Sequence, residues 1–378
     1  MNFGAYFSQS YEEARAKFMD AAAGLDVTSY PHPMRGRDGE LLAMDVALDG
    51  AADASHLLII SSACHGVEGF CGSGIQVALL GNPAWRTALR DAGAAVLYIH
   101  ALNPYGFSWW RRSTQENVDL NRNFQDFAKP LPANPDYEAL DRLLIPQEWP
   151  PGMWNRLRLV AFAFRHGAKT LQTAVQSGQY THPCGLFYGG ENPTWSHLTL
   201  REVLRRYAQQ RKKLTLIDLH TGLGPSGLAE RMLACGDTAA RERAYALWGP
   251  NLTSSKQGNS SSADVKGQMW TAICEECPQA EYTGLVLEFG THPRLQVLDA
   301  LRADQWLENR PDTPEPIRRR IKHQLRDAFY TDTDEWKRQV VEQAQLAAWQ
   351  AVWGVAGPAS ALALRDPFAR TGSNHANS

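Results

Sequence analysis

Residues 57–74 read LLIISSACHGVEGFCGSG. The stretch opens on an apolar run, Leu57-Leu58-Ile59-Ile60, flanked by small residues. That is the pattern of a strand buried on both faces of a parallel or mixed sheet. It continues through Ser-Ser-Ala-Cys to His65 and Glu68, three positions apart among Gly66, Gly69, Gly72 and Gly74. Four glycines so close are at odds with a regular helix and imply a tight loop leaving the strand's C-terminal end. In open α/β sheets that edge is where ligands bind. One imidazole and one carboxylate at this spacing can reach a single ion, and zinc accepts both ligand types. An isolated HxxE is nevertheless more often a capping Glu beside a satisfied loop His, so the decision falls to the rest of the chain.

Outward from this stretch, apolar runs at 40–48, 94–101, 214–220, 231–236 and 284–289 read as further strands. Helical patterns cover 8–24 behind a Ser cap, 74–90 with a break near Pro83, 155–176, 196–212 and 295–352 with a Pro-rich break at 311–316. Prolines crowd 129–155, which implies an irregular crossing with short helical pieces. Residues 178–193 form a Gly/Pro/aromatic loop, and 251–268, polar and breaker-rich, a surface loop. Strands alternating with helices indicate an α/β fold on a mostly parallel or mixed sheet.

Composition removes several classes. The chain has 378 residues, 44% hydrophobic and 21% charged, with a formal net charge of −2 and both signs interspersed. That is a globular balance without a phosphate-binding footprint, so no nucleic-acid partner is expected. No apolar run reaches the roughly eighteen residues of a bilayer span, and no membrane partner is expected. The first residues lack a basic segment followed by an apolar one, so a signal peptide is not expected. Six cysteines in such a chain imply reduced thiols and a cytoplasmic location.

Four strand ends carry chemistry. The strand at 57–63 delivers His65 and Glu68, that at 94–101 leads into the arginine-bearing loop 103–124, that at 214–219 ends in His220, and that at 284–287 ends in Glu288. Two His and one Glu make a three-ligand zinc site with an open position for water. A second Glu that is not a ligand can take that water's proton.

HGVE, then NPYGFSWWRRSTQENVDLNRNF, then LIDLH, then LVLEFGTH, in that order, resemble the zinc carboxypeptidases of the M14 type. Within them the likeness is to the bacterial group known as domain of unknown function 2817, over roughly residues 55–295. The resemblance implies an α/β/α sandwich around a mixed, about eight-stranded sheet. It implies one Zn2+ per chain held by His65, Glu68 and His220, with Glu288 as general base. By the same resemblance Asn121 and Arg122 bind a substrate carboxylate, and Arg111 or Arg112 polarises the carbonyl. Arg112, nine positions before Asn121, is favoured. Tyr188, in GLFYGG, is the aromatic expected to face the cleft. Asp218 is read as a structural hydrogen-bonding residue turned to the opposite face of the strand from His220.

The chain departs from the digestive enzymes in having no Tyr at 266–270 (KGQMW) and no Arg between His65 and Glu68. The leading reading is a zinc hydrolase acting on a peptide or N-acyl amino acid with a free carboxylate. The alternatives are a deacylase like succinylglutamate desuccinylase or aspartoacylase, and a silent binding protein. Cys274-Glu-Glu-Cys277, a lone CxxC, reads as ordinary thiols. Residues 1–365 read as one catalytic domain, with a core at about 40–295, a helical C-terminal extension at about 296–365 and a disordered tail at 366–378.

Overall fold

The structure, a computed structural model, describes residues 2–364, with side chains as far as 355. The expectation for the tail at 366–378 therefore lies outside the described residues. Among the described residues seven strands form one mixed sheet: β1 (Asp26–Arg35), β2 (Leu41–Asp49), β3 (His56–Ser61), β4 (Ala94–His100), β5 (Lys213–Gly222), β6 (Ala229–Leu233) and β7 (Glu281–Gly290), in the spatial order β1-β2-β4-β3-β5-β7-β6. The four central strands, β4, β3, β5 and β7, are parallel, and the outer pairs are antiparallel.

Alternation along the strands divides the core. Leu58 and Ile60 of β3, Val96 and Tyr98 of β4, and Ile217 and Leu219 of β5 face one hydrophobic cluster. Leu57, Ile59, Leu97, Ile99, Leu214 and Leu216 face the other. A strand's side chains alternate with period two, so these are the two faces of one sheet, each covered by helices. The α/β/α layering expected from the resemblance is what the chain forms, with seven strands.

On the larger face lie α1 (Tyr11–Ala21), α2 (Gly69–Leu80), α3 (Pro83–Asp91) and the short α4 (Pro104–Ser108). The helices α5 (Pro135–Leu144), α6 (Met153–His166) and α7 (Ala168–Gln176) follow in the crossing segment, then α8 (Trp195–Tyr207), α9 (Thr238–Trp248) and α10 (Trp270–Glu276). The C-terminal helices are α11 (Arg294–Glu308), α12 (Glu315–Phe329) and α13 (Asp334–Leu364). Ser10 caps α1 by accepting the Glu13 amide, as its sequence implied.

Two local expectations are corrected. Residues 66–73, expected as a loop ahead of a helix from 74, are helical: a single turn, Gly66–Glu68, leads directly into α2, which contains Gly69, Gly72 and Gly74 and is buried throughout. The glycines serve close approach. A Cβ on Gly69 would stand 2.5 Å from the Phe107 ring, one on Gly72 2.6 Å from Ser62 Cβ, and one on Gly74 2.6 Å from Phe7. Burial on every side outweighs the modest helix penalty of each glycine. The second correction is β1, which had no expected strand because Pro31 and Pro33 interrupt it. It is an edge strand, where a missing amide is tolerated, and its register with β2 shifts between Pro31 and Arg35.

Candidate metal centre

The C-terminal ends of β3, β5 and β7 meet at the floor of a cavity of about 860 Å³. β3 and β5 are adjacent and parallel, which sets the turn after Ser61 beside His220; β5 and β7 pair in register so that His220 lies opposite Glu288. The backbone of the 66–67 turn is tied to the loop after α4 by Gly66 N–H to Arg112 O (3.1 Å) and Val67 N–H to Arg111 O (2.8 Å). A Cβ on Gly66 would fall 2.1 Å from the backbone of Gly106, so only glycine permits this contact.

His65 Nδ1 lies 2.9 Å from Glu68 Oε1 and 3.2 Å from His220 Nδ1, and His220 Nδ1 lies 3.1 Å from Glu68 Oε2. All three side chains are buried. Ligand atoms set tetrahedrally around zinc at its usual bond lengths stand about 3.3 Å apart, so these donors have the spacing and the chemistry of a metal set. Cys64, Asp218 and His220 form a second close group that shares His220.

The outer nitrogens are also held. His220 Nε2 meets Asp218 Oδ2 at 2.7 Å, and Ser61 Oγ donates to the other Asp218 oxygen at 2.7 Å. This corrects the expected orientation of Asp218. Residues two apart on a strand share a face, so Asp218 lies behind His220 and fixes which nitrogen is presented to the centre. His65 Nε2 faces Asp119 Oδ1 at 3.3 Å and Arg112 Nη2 at 2.7 Å. Thr221 N–H donates to Glu68 Oε2 at 3.1 Å.

Charge is concentrated here. Burial opposes ionisation of Glu68, yet His65 and His220 outweigh it and hold its pKa well below the carboxylate range. Burial likewise opposes a charge on His220, but Asp218 and Glu68 raise its pKa well above the usual value. For Asp119, burial is outweighed by Arg112 and Arg122, and its pKa falls. Glu288 goes the other way: burial, and after it the charge of Glu68, raise its pKa from 4.5 to about 8. One of its oxygens, Oε1, accepts the Leu223 amide at 2.9 Å.

Arg112 is at the centre, with Nη1 3.2 Å from Glu68 Oε1 and Nε 3.0 Å from Asp119 Oδ2. Its neighbour Arg111 turns away, with Nη2 on Asn117 Oδ1 at 2.9 Å and Nε facing Asp304 at 3.4 Å, and it does not line the cavity. Asn121 and Arg122 both line it. Arg122 Nε and Nη2 donate to the Gln176 carbonyl at the end of α7, at 3.1 and 2.5 Å, and Asn121 Oδ1 accepts the Met269 amide at 2.8 Å. Tyr188 does not line the cavity; Phe187 does, held at φ +54°. Asp119, Gln176 and Phe187 escaped the sequence reading. Only Asp119 had a signal there, as the acidic residue inside the NVDLNRNF motif. The six cysteines are free, and burial raises Cys274 and Cys277 to about 11.

A sequence profile described as "Protein of unknown function (DUF2817)" matches residues 7–343. Among curated proteins there is no significant match. Solved structures give loose likenesses. Carboxypeptidase A from Helicoverpa armigera is 12% identical with a TM-score of 0.41, over 85% of this chain and 74% of that one. A metallo-carboxypeptidase from Burkholderia cenocepacia is 13% identical with a TM-score of 0.42, over 92% and 70%. An aspartoacylase family protein from Mesorhizobium loti is 15% identical with a TM-score of 0.37, over 75% and 66%. Likenesses this loose carry no conclusion about activity.

Proposed function

The chain belongs to the DUF2817 family, and from that premise we propose that it is a zinc-dependent hydrolase of the M14 carboxypeptidase type. It would cleave an amide bond next to a carboxylate-bearing group. One observation carries the reading: His65, Glu68 and His220 converge on one point at the floor of a cavity, with Glu288 opposite His220 in the sheet register.

One zinc ion held by His65 Nδ1, Glu68 and His220 Nδ1 would supply a bound water with a pKa near about 7 and a Lewis acid. Glu288 is the proton carrier. With Oε1 engaged by the Leu223 amide, Oε2 accepts the proton from water and returns it to the leaving amine. Burial, which disfavours a lasting charge on Glu288, suits a carboxylate that must hold a proton between those two transfers. Arg112, kept charged by Asp119 and Glu68, places a guanidinium where negative charge develops on the carbonyl oxygen. Asn121 and Arg122 bind the substrate's free carboxylate, for which a planar guanidinium fork is well matched. Leu171, Val175, Phe187 and Phe329 supply apolar wall.

A second reading, a deacylase of N-acyl amino acids, draws on a specific observation. Among the described residues no tyrosine lines the cavity, whereas the digestive carboxypeptidases use one in a mobile loop. Both readings share the metal centre and differ in substrate. The test is metal analysis of purified protein together with a panel of peptides and N-acyl amino acids, wild type against Glu288→Gln. About one zinc per chain is expected in both proteins, with turnover of at least one carboxylate-bearing substrate and a loss of at least about a hundredfold in the variant. Absence of zinc after reconstitution would refute both readings.

A further inference from the structure

The fourteen residues of α6 include no buried side chain. Of the eleven large apolar side chains exposed among the described residues, five stand on this helix: Met153, Trp154, Leu157, Val160 and Phe164. Phe164 is 93% exposed, Trp154 71% and Val160 65%. At 100° per residue, Met153, Leu157, Val160 and Phe164 fall within one narrow stripe, with Trp154 at its margin. The opposite side is anchored: Asn155 donates to Leu143 O at 3.0 Å and accepts from Arg302 at 2.9 Å, while Leu159 and Phe162 pack on the main core. The apolar stripe is therefore held outward by the fold.

Its borders are basic. Arg156, Arg158 and Arg165 are exposed on the same helix, and no Asp or Glu occurs between Glu148 and Glu191. In a chain of net charge −2, this is a local excess of positive charge around an apolar ridge. We propose that α6 is a membrane-contacting element that lays its apolar ridge into the surface of a bilayer bearing anionic lipids. The composition is that of an interfacial helix, with Trp, Phe and Leu on one face and arginines beside them. At about 21 Å the helix is too short to span the roughly 30 Å hydrocarbon layer, so it lies on the membrane. The expectation of no membrane partner rested on the absence of a span, and a surface-lying helix escapes that criterion.

A second copy of the chain fits less well, because two such faces would bring arginines against arginines. The bilayer is the occupant that satisfies ridge and charge together. Ala163, Ala168 and Lys169, from this helix and the start of α7, line the cavity, so the segment that meets the lipid also forms part of the cavity wall.

The experiment is flotation of the full-length protein with vesicles of phosphatidylcholine alone and with phosphatidylglycerol added. Binding is expected to the mixed vesicles and to weaken severalfold with added salt. The pair Leu157→Glu and Phe164→Glu is expected to lower partitioning by at least about tenfold. The triple change Arg156→Gln, Arg158→Gln, Arg165→Gln is expected to remove the preference for phosphatidylglycerol. All five positions are exposed or at the helix surface, and circular dichroism verifies that each variant is folded. The proposal is overturned if wild type does not float, or if the apolar pair changes nothing. It is equally overturned if sedimentation shows a wild-type dimer that the apolar pair dissociates, which would assign the face to a second copy.

Discussion

Glu288 sits where burial and the charge of Glu68 both disfavour its ionised form, so its pKa stands at about 8 instead of 4.5. Between those two values the unfolded chain releases this proton and the folded chain keeps it. The stability of metal-free protein should therefore decline as pH rises through that window, with the whole penalty present above about 8. Glu288→Gln removes the titration. In chelator, the variant is expected to be more stable than wild type at alkaline pH, with the difference vanishing toward pH 4.5; urea melts across the range measure it. A difference independent of pH would contradict this assignment. The residues that converge on the candidate centre were legible as a group in the sequence because each stands at or just beyond the end of an apolar strand. Asp218 was misread in direction, since a strand's period of two puts it on the face of His220. Gln176 was not legible, and Asp119 only as the acidic residue inside the NVDLNRNF motif. Their parts depend on a buried contact with Arg112 and a backbone carbonyl facing Arg122, neither of which leaves a periodic mark.

At the scale of elements, the turn at Gly66 and the helix that follows show what pattern reading misses. Glycine frequency suggested a loop, whereas tight packing against Gly106, Phe107, Ser62 and Phe7 is what excludes larger residues. Gly66→Ala would drive a Cβ into the backbone of Gly106, which cannot yield as a side chain tip would. A destabilisation of about 2 kcal/mol or more is expected, within the range of overpacked sites. Because the residue stands between His65 and Glu68, metal affinity should fall with it. Thermal melts with and without zinc check both, and an unchanged melting temperature would refute the close-packing account. β1 was invisible for a related reason. Its prolines break the local signal, and only its place at the sheet edge makes them acceptable.

At the scale of the molecule, the helices beyond 295 were read as an extension, and they are packed into the principal core. Phe329, Tyr330, Trp336 and Val340 share a cluster with Phe7, Phe70 and the sheet. Thr291 Oγ1 donates to Ala328 O at 2.7 Å, and Trp336 Nε1 donates to Gly290 O at 2.9 Å. Phe329 also lines the cavity, so the C-terminal helices contribute to the space around the candidate centre. Sequence periodicity announced these helices but not their destination, which is set by contacts far along the chain. We take residues 1–365 as one domain, a proposal that this shared core supports.

The pairing of β3 with β5 carries a consequence in time. His65 and His220 are 155 positions apart, and their rings meet only after these strands have paired. A chain crossing the folding barrier has first to close that long loop, so a metal ion has no assembled binding place to reward on the way up. Zinc is thus expected to leave the refolding rate within about twofold of its metal-free value while slowing unfolding in step with occupancy. Stopped-flow refolding and unfolding in zinc and in chelator separate the two limbs. Refolding accelerated by zinc would mean that the ligands meet before the strands do. On the expected outcome, the ion acts as a latch on the finished molecule, and its departure sets how long the native state endures.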